Sequence, residues 1–285
     1  MEVVRAKRAG ACYGVQRALD MAEEVIARQE CVYTLGPLIH NPHVVADLKA
    51  QGAHVVDAVD EIPQAKNGAQ ECAVVIRSHG VTPEVLDAVS DRGCRVVDAT
   101  CPHVSRAQKA AADLALDGCY VVVVGEAGHP EVEGLRAWAQ AAGGMVEVVA
   151  NGSELSSSVT DPVGVVVQTT QRPEALESVV SELEARGFSP RVRNTICSAT
   201  SQRQTAAADI AREVDAMIVI GGRNSSNTTR LAEICADCCP RTFHVESADE
   251  LSPEQLAGCE VVGVTAGAST PENQIAAVEE RLRSF

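Results

Sequence analysis

Three cysteines in this sequence share a local pattern that could bind a metal. Cys12, Cys101 and Cys197 each follow a strand-like run and open a helical segment, in GACYGVQRALD, ATCPHVSRAQK and TICSATSQRQT. They lie 89 and 96 residues apart, and each is followed by a β-branched residue and then an arginine at nearly the same distance. A thiol at a helix N-terminus favours the thiolate, the form that binds metal. Three such thiolates predict a soft-metal site, either zinc or an iron–sulfur cluster.

A fourth cysteine at the same repeat position is absent from the sequence, although iron–sulfur clusters are normally held by four. One coordination position could therefore stay open to substrate, as it does in catalytic zinc sites. The alternative is that each cysteine is a core residue at a packed helix start, which is the usual fate of a lone cysteine. Three cysteines in one repeat pattern favour the metal site.

The other eight of the eleven cysteines are predicted to be packing residues. A second group of cysteines has a spacing similar to that of metal ligands: Cys235, Cys238 and Cys239. These residues fall near a predicted helix C-terminus, and the group has no fourth cysteine or other ligand. The cysteines in or beside predicted strands are expected in the core: Cys31, Cys72, Cys94, Cys119 and Cys259. An odd number of cysteines, in a sequence without a signal peptide, favours reduced thiols over a disulfide framework.

Polar residues recur downstream of the three cysteines. At one fixed distance stand His40, His129 and Ser225, and at a second, nearly fixed distance stand His79, Thr169 and Ser269. Neutral donors of this kind, with Asn227 and helix N-terminal amides, would let a protein of net charge −15 bind a phosphorylated substrate. The alternative for Ser269 is capping, since Ser269 and Glu272 fit a capping box and Pro271 fits near the first helical position.

Glu131 lies two residues beyond His129, at the start of a predicted helix. One interpretation is a proton donor, with Thr169 positioning it or the substrate hydroxyl. The other is an acid that simply complements the helix dipole. The spacing alone does not decide between them.

Short β-branched runs alternate with amphipathic segments, which predicts an α/β fold with largely parallel sheets. The predicted strands are Glu2–Val4, Cys31–Leu35, Ala73–Arg77, Arg95–Asp98, Tyr120–Val124, Met145–Val149, Val163–Val167, Ala216–Ile220, Thr242–Val245 and Val261–Val264. The predicted helices include Val15–Arg28, Pro83–Asp91, Val104–Leu116, Arg172–Arg186, Ala199–Val214, Ser226–Asp237 and Pro271–Arg283. The aliphatic, aromatic-poor composition suits strands that are covered on both faces.

The repeats divide the chain into three similar α/β units, predicted at residues 1–97, 98–193 and 194–285. The N-terminal segment 1–11 precedes the first cysteine, so we expect it to pack with the third unit. Each unit offers three loops at strand carboxyl ends, where ligands bind in open α/β sheets. Nine such loops around a pseudo-threefold axis predict one central pocket.

Composition excludes several classes of protein. The 285 residues include 39 acidic and 24 basic side chains and are 46% hydrophobic, which is too apolar for a disordered acidic tail. The acidic balance and only three Phe, three Tyr and one Trp argue against general nucleic-acid binding. No apolar run approaches the ~20 residues of a membrane span, and the N-terminus lacks the apolar region of a signal peptide. We therefore expect a cytoplasmic protein without membrane contact.

On these residues the chain resembles the LytB family, the 4-hydroxy-3-methylbut-2-enyl diphosphate reductases. The matching segments, in family order, are GACYGV, LIHNP, SHGV, DATCP, GHPEVEG, QTT, ICSAT, NSSNT and TAGAS. The resemblance implies a trefoil of three α/β domains around one central [4Fe–4S] cluster per chain. It also implies a two-electron, two-proton reductive dehydroxylation of the (E)-4-hydroxy-3-methylbut-2-enyl substrate. The products would be isopentenyl and dimethylallyl diphosphates, at the last step of the methylerythritol phosphate route to isoprenoids.

The same motif match implies roles for individual residues. Cys12, Cys101 and Cys197 would hold three irons, and the fourth iron would bind the substrate hydroxyl. The residues implied to bind the diphosphate are His40, His79, His129, Ser225, Ser226, Asn227 and Ser269. Glu131 would deliver protons, with His129 and Thr169 as its catalytic neighbours.

The resemblance also implies a ferredoxin or flavodoxin as electron donor and predicts a monomer or weak dimer. These carriers are acidic, so docking needs a local patch of Arg and Lys, which the sequence does not locate. The first motif reads ACYG where family members often have FCAG, and Glu126 follows Gly125. Either departure could alter the pocket rim or the docking of the donor.

Two other interpretations remain open at the level of sequence. One is a [4Fe–4S] dehydratase of the quinolinate synthase type, which would require a dicarboxylate site with more Arg and Tyr. The other is a non-enzymatic metal or redox sensor, in which the additional cysteines would be the functional ones.

Overall fold

The computed structural model describes residues 1–28, 31–64 and 72–285. The strands within these ranges are β1 (Glu2–Arg5), β2 (Cys31–Leu35), β3 (Ala53–Val56), β4 (Cys72–Ile76), β5 (Arg95–Asp98), β6 (Tyr120–Val124), β7 (Val146–Val149), β8 (Val163–Val167), β9 (Arg191–Arg193), β10 (Ala216–Ile220), β11 (Thr242–Val245) and β12 (Val261–Ala266). The α-helices are α1 (Tyr13–Ala27), α2 (Pro42–Ala50), α3 (Pro83–Asp91), α4 (Pro102–Leu116), α5 (Pro130–Ala141), α6 (Pro173–Ala185), α7 (Ser198–Ala211), α8 (Ser226–Cys238) and α9 (Glu272–Arg283).

The strands form three four-stranded sheets in which every pair is parallel. The first sheet has the order β3-β2-β4-β5, the second β7-β6-β8-β9 and the third β1-β12-β10-β11. Written in the reverse direction, the order of the third sheet is β11-β10-β12-β1. This order corresponds strand by strand to those of the first two sheets, and β1 occupies the edge position that β5 and β9 occupy there. The prediction of three similar α/β units with parallel sheets is therefore confirmed.

The described chain forms two compact units. One consists of Met1–Gln16, His40–Val44 and Cys197–Phe285 and contains the third sheet; we call it the third-sheet unit. The other consists of Arg17–Ile39 and Val45–Ile196 and contains the first and second sheets; we call it the two-sheet unit. The boundaries of the three predicted domains stay a prediction.

Aliphatic side chains cover both faces of the inner strands. In β6, Val121 and Val123 pack with α4 and α5, whereas Val122 and Val124 pack in a second cluster that includes α6. A strand buried on both faces has to be apolar at every position, because either face would otherwise bury a polar group. This explains the uninterrupted YVVVV of β6 and the aliphatic composition of the chain.

Proline stands in the first turn of five helices. These prolines are Pro42, Pro83, Pro102, Pro130 and Pro173, in α2, α3, α4, α5 and α6 respectively. At this place the missing amide hydrogen costs nothing, and the fixed φ of proline is already helical. The residue before each proline becomes the N-cap, and two of these residues are Cys101 and His129. The helix starts thus bring reactive side chains to the strand-end loops.

Two strands were not predicted, β3 and β9. All three residues of β9 are exposed, so this strand shows no pattern of burial. Helix α5 begins after His129, where the sequence predicts the start of a helix. It contains Gly134, a poor helix former, and a Cβ there would lie only 3.1 Å from the Gln108 amide nitrogen of α4. The close approach of the two helices therefore explains the glycine.

Cys72 and Cys94 are buried as predicted, but the expectation that their thiols are reduced was wrong. They form a disulfide, because the β4–β5 pairing brings their Cα atoms to 5.4 Å, within the range that a disulfide spans. Cys31, at the start of β2, is exposed rather than buried. Three others are buried as predicted: Cys119, Cys235 and Cys239. Among the described helices, none has the length and apolar character that a bilayer crossing requires.

The packing predicts that Val→Ala substitutions in the core and on the surface change the free energy of unfolding by different amounts. Val123→Ala removes a fully buried side chain between two helices and should lower the free energy of unfolding by about 2 kcal/mol. Val192→Ala, on the exposed strand β9, should change it by less than about 0.5 kcal/mol. Urea denaturation of both variants measures the difference. Equal losses would contradict the assignment of the core.

Candidate active site

The three repeat cysteines stand at helix N-termini, as predicted. Cys101 and Cys197 are the N-cap residues of α4 and α7, and Cys12 directly precedes α1. Each cysteine carbonyl accepts a hydrogen bond from the amide four residues later, at 2.9 to 3.1 Å. All three side chains are partly exposed, and neither Cys101 nor Cys197 caps its helix through sulfur. Each sulfur is therefore carried at the positive end of a helix dipole.

In the third-sheet unit, Arg203 of α7 links the two cysteines. Its side chain is buried, and one guanidinium nitrogen donates to the Gly10 carbonyl at 2.8 Å. Burial lowers the pKa of Arg203, and negative charge on Cys12 and Cys197 acts in the opposite direction. The buried cation thus braces the loop before Cys12 and lies close to both cysteines of this unit.

In the two-sheet unit, Arg17 of α1 braces the loop before Cys101. Its guanidinium donates to the Thr100 carbonyl at 3.2 Å and to the Asp98 carbonyl at 3.4 Å. The Cys101 amide donates to the Ser78 carbonyl at 3.0 Å, which joins the DATCP and SHGV loops. The third repeat arginine, Arg106, instead contacts the ring of His103 on its own helix. Two of the three repeat arginines therefore support a cysteine loop.

Partly exposed thiols at helix starts are suitable donors for an iron–sulfur cluster. The described residues contain two such thiols in the third-sheet unit and one in the two-sheet unit. Within the described ranges, no group of three or more His, Cys, Asp or Glu side chains is arranged to hold a metal ion. The ligand role of the three cysteines accordingly stays a proposal.

The start of helix α8 gathers neutral donors in the third-sheet unit. Ser225 is its N-cap, and Ser226 and Asn227 form the first turn, all three being buried. The Asn227 amide nitrogen has no hydrogen-bond partner within the described chain, so it has a donor to offer a ligand. Gly267 lets the end of β12 approach this helix, since a Cβ there would lie 2.0 Å from Thr228 Oγ1. A buried helix N-terminus with an unused amide donor suits an anion.

Two other loops of the third-sheet unit meet at Ser269. The Ser269 hydroxyl donates to the His40 carbonyl at 3.0 Å. Asn41 donates to the Ser269 carbonyl and to the Gln274 side chain, each at 2.9 Å, while its carbonyl oxygen caps α2 through the His43 amide. Asn41 was not predicted as a positioning residue. Its signal in the sequence was an Asn directly before the proline that opens a helix.

The predicted capping box at Ser269 is wrong. Pro271, not Ser269, is the N-cap of α9, and it provides no side-chain cap. Glu272 is bound by Arg5, at 2.5 and 2.7 Å, so its carboxylate is engaged elsewhere. The Ser269 hydroxyl bonds to the His40 loop instead, which leaves Ser269 among the candidate binding residues.

The second polar group lies in the two-sheet unit. His129 is the N-cap of α5, and its Nδ1 accepts from the Glu131 amide at 3.1 Å, which places the proton of the neutral ring on Nε2. The His79 and His129 rings meet edge to face with centroids 5.7 Å apart. Glu131 is buried, and its carboxyl accepts from the Thr169 amide at 2.6 Å and the Thr169 hydroxyl at 2.9 Å. The structure therefore brings together His79, His129, Glu131 and Thr169.

Burial and hydrogen bonding act on Glu131 in opposite directions. Burial raises the pKa of its carboxyl to about 7, although the two bonds from Thr169 favour the charged form. A buried acid that changes protonation state near neutral pH can give a proton to a bound group. This property favours the proton-donor interpretation of Glu131 over a purely dipole-complementing one.

The family of the chain follows from a match over nearly its whole length. The family model described as LytB protein matches residues 3–283. The chain belongs to the LytB family.

Curated LytB relatives are similar along the full chain. A 4-hydroxy-3-methylbut-2-enyl diphosphate reductase of Geobacter sulfurreducens is 50% identical, over 100% of this chain and 98% of the relative. The reductases of Pelobacter propionicus and Geobacter metallireducens are each 46% identical, over 95% and 100% of this chain and 94% and 98% of the respective relatives.

Two solved structures are also similar. One is (E)-4-hydroxy-3-methyl-but-2-enyl diphosphate reductase, described as the terminal enzyme of the non-mevalonate pathway. It has a TM-score of 0.73 and 41% identity, with 100% of both chains covered. The other is the E-1-hydroxy-2-methyl-but-2-enyl-4-diphosphate reductase of Plasmodium falciparum. It has a TM-score of 0.89 and 23% identity, covers 98% of this chain and 87% of that one, and shows the shared fold.

The raised pKa of Glu131 predicts a pH effect on stability. In the folded protein Glu131 keeps a proton that the unfolded chain, with a pKa of 4.5, releases. Its contribution to stability is therefore complete below about pH 4.5 and is lost as the pH rises towards about 7. Glu131→Gln should flatten the decline in the free energy of unfolding across this range.

The exposed Glu177 of α6 supplies the matched control. Glu177→Gln should leave the pH dependence of the unfolding free energy as it is in the unmodified protein. Urea denaturation at a series of pH values measures both variants. The same slope for Glu131→Gln as for the unmodified protein would contradict the buried, protonated carboxyl.

Proposed function

We propose that this chain reduces (E)-4-hydroxy-3-methylbut-2-enyl diphosphate to isopentenyl and dimethylallyl diphosphates. The observation that carries the proposal is the buried Glu131 carboxyl, which is held by Thr169 and stands next to His129 in a LytB family protein. The reaction removes a hydroxyl as water and needs a proton donor for that oxygen. The family match also favours this function over the dehydratase and sensor alternatives.

One [4Fe–4S] cluster per chain is part of the proposal, with Cys12, Cys101 and Cys197 as its protein ligands. When bound, such a cluster supplies electrons singly and offers a Lewis-acidic iron to the departing oxygen. The chain's contribution is to hold three cysteine side chains at helix N-termini. Arg203 and Arg17 keep the loops before Cys12 and Cys101 in place.

The diphosphate is assigned to neutral donors rather than to a lysine clamp. In the third-sheet unit these are His40, Ser225, Ser226, Asn227 and Ser269, and in the two-sheet unit they are His79 and His129. The amides at the start of α8 add the positive end of a helix dipole. Neutral donors bind the anion without placing a large positive charge beside Glu131, which could otherwise lose its proton.

The proton chemistry is assigned to Glu131. In the protonated state it donates to the leaving hydroxyl, and the Thr169 hydroxyl orients the carboxyl or the substrate oxygen. One proton leaves in water, and the second is delivered to the allylic carbon skeleton. His129 holds the start of α5, so it fixes the position of Glu131 as well as offering its Nε2–H.

The proposal also includes the electron donor, the cellular location and the oligomeric state. The electron donor is a ferredoxin or flavodoxin, and the enzyme acts in the cytoplasm as a monomer or weak dimer. An acidic protein that binds a single small anion through neutral donors is compatible with all of these. The excess of 39 acidic over 24 basic residues also disfavours nucleic acid as a partner.

Cluster ligation can be tested by a cysteine substitution. Cys197→Ser should lose most of its iron together with turnover, because one of three protein ligands is removed. Cys238→Ser, at the end of α8, should keep both, since Cys238 is assigned to packing. Iron and acid-labile sulfide per chain, measured after anaerobic purification, give the comparison. Full iron content in Cys197→Ser would contradict the ligand assignment.

The proton-donor role predicts a loss of turnover without a loss of the cluster. Glu131→Gln should lower turnover by about a hundredfold or more while the visible spectrum of the cluster is unchanged. In the unmodified protein, turnover should fall as the pH rises above about 7, where Glu131 loses its proton. A pH series with reduced viologen as electron source measures both effects. Near-normal turnover in Glu131→Gln would exclude the assigned role.

A further inference from the structure

A short basic loop precedes Cys12 in the third-sheet unit. It runs from the end of β1 to the start of α1 and carries Lys7 and Arg8, both exposed. Two of its amides donate to β12, Ala6 N to Val264 O at 2.8 Å and Gly10 N to Ala266 O at 3.4 Å, and Cys12 N donates at 3.0 Å to the carbonyl of Ala268 in the loop after β12. The Arg5 guanidinium adds a bond to the Ala9 carbonyl at 3.5 Å. The loop is therefore held in one conformation at both of its ends.

The backbone of this loop is strained at Arg8. Its φ of 72° lies in the left-handed region, and Arg8 is the only non-glycine residue of the described chain with a positive φ. A long side chain there is costly, so the surrounding hydrogen bonds have to impose the conformation. Gly10 is needed in the same turn, since its φ is 101° and a Cβ would meet Ile275 at 3.0 Å. The backbone conformation therefore sets the point at which the Arg8 side chain leaves the surface.

Lys7 and Arg8 are unusual among the cations of this acidic protein. Within the described ranges, only four Lys or Arg side chains have no hydrogen bond, ion pair or ring contact: Lys7, Arg8, Lys49 and Arg193. Lys7 and Arg8 are the only adjacent pair among them. The carboxylate of Glu272 forms its ion pair with Arg5, not with Lys7 or Arg8. Their two charges are thus available to a partner.

An aromatic side chain lies on the other side of Cys12. Tyr13 is 73% exposed, the highest value among the large hydrophobic residues of the described chain. Arg and Tyr are enriched in protein interfaces, where they supply much of the binding energy. Tyr13 is also one of the two residues, with Ala11, by which the ACYG motif departs from the FCAG of many family members. Two free cations and one exposed aromatic therefore flank a proposed cluster ligand.

We propose that Lys7, Arg8 and Tyr13 form the docking surface for an acidic ferredoxin that supplies electrons at Cys12. The inference rests on the proposed function and names the partner of that site. Arg8 and Cys12 are four residues apart, so their Cα atoms are at most about 14 Å apart, and a docked carrier lies close to the sulfur. The opposite charges of loop and carrier steer the encounter, although the chain as a whole carries −15.

The stoichiometry favours a small, rapidly exchanging contact. Each turnover oxidises two reduced one-electron ferredoxins, and the substrate takes up two electrons and two protons and releases one water. A carrier has to dock and leave twice, which suits the small interfaces of electron-transfer complexes. Two cations and one aromatic provide such an interface.

The test compares two double variants of equal charge. Lys7→Gln with Arg8→Asn removes the basic pair, and Asn tolerates the left-handed backbone of position 8. Lys49→Gln with Arg193→Gln removes the two other unpaired, exposed cations. Calorimetry under anaerobic conditions measures the affinity of oxidised ferredoxin for each cluster-containing variant at low and at physiological ionic strength. Turnover is measured in parallel with reduced viologen, which needs no docking surface.

Removing Lys7 and Arg8 should weaken ferredoxin binding about tenfold at low ionic strength and reduce its salt dependence. The Lys49 and Arg193 variant should bind like the unmodified protein, and viologen-driven turnover should be unchanged in both. Tyr13→Ala should weaken binding while keeping the salt dependence. These results together support the docking surface.

Three results would overturn the inference. The first is an equal loss of affinity in both double variants, which would reflect net charge alone. The second is a raised KM for the diphosphate with viologen, which would make the cations part of substrate binding. The third is a dependence on Lys7 and Arg8 for flavodoxin but not for ferredoxin. Absence of viologen-driven turnover in the unmodified protein would instead refute the proposed function, so the two failures are distinguishable.

Discussion

The structure depends on one constraint, which is that parallel strands end at the same edge of a sheet and pass directly into helices. Each sheet has this arrangement, with four parallel strands in the same order. The strand-to-helix junctions carry Cys12, Cys101 and Cys197 and also the His129 and Ser225 caps. At such a junction a side chain has the positive end of a helix dipole and free backbone amides beside it. Thiolates and anionic ligands are both stabilised there, which explains why one architecture serves both parts of the proposed chemistry.

Glu131 illustrates how local packing sets the chemistry at such a junction. The helix dipole and the two bonds from Thr169 favour a carboxylate, whereas complete burial favours the neutral acid. Burial has the larger effect, and the pKa rises to about 7. An exposed acid at the same helix position would be ionised at neutral pH and could not donate a proton. The depth of the residue, which depends on the surrounding sheet and helices, therefore decides its role.

Much of this could be predicted from the sequence, because the signal was periodic. The repeated Cys, the β-branched runs and the downstream polar residues identified three parallel α/β units and the helix-start positions of the cysteines. The sequence pattern did not predict features that depend on contacts between distant parts of the chain. Strand β9 has only exposed residues, Cys72 and Cys94 became partners through strand pairing, and Ser269 bonds to His40 rather than capping α9. Asn41 was missed because its partners are distant in sequence.

The central claim is that this chain is an iron–sulfur enzyme acting on an allylic diphosphate. The most direct measurement is the metal content and product analysis of the unmodified protein after anaerobic purification. We expect a brown protein with about four irons and four sulfides per chain. With reduced viologen, it should convert (E)-4-hydroxy-3-methylbut-2-enyl diphosphate to isopentenyl and dimethylallyl diphosphates. A colourless protein that holds only zinc and leaves the diphosphate unchanged would contradict the claim.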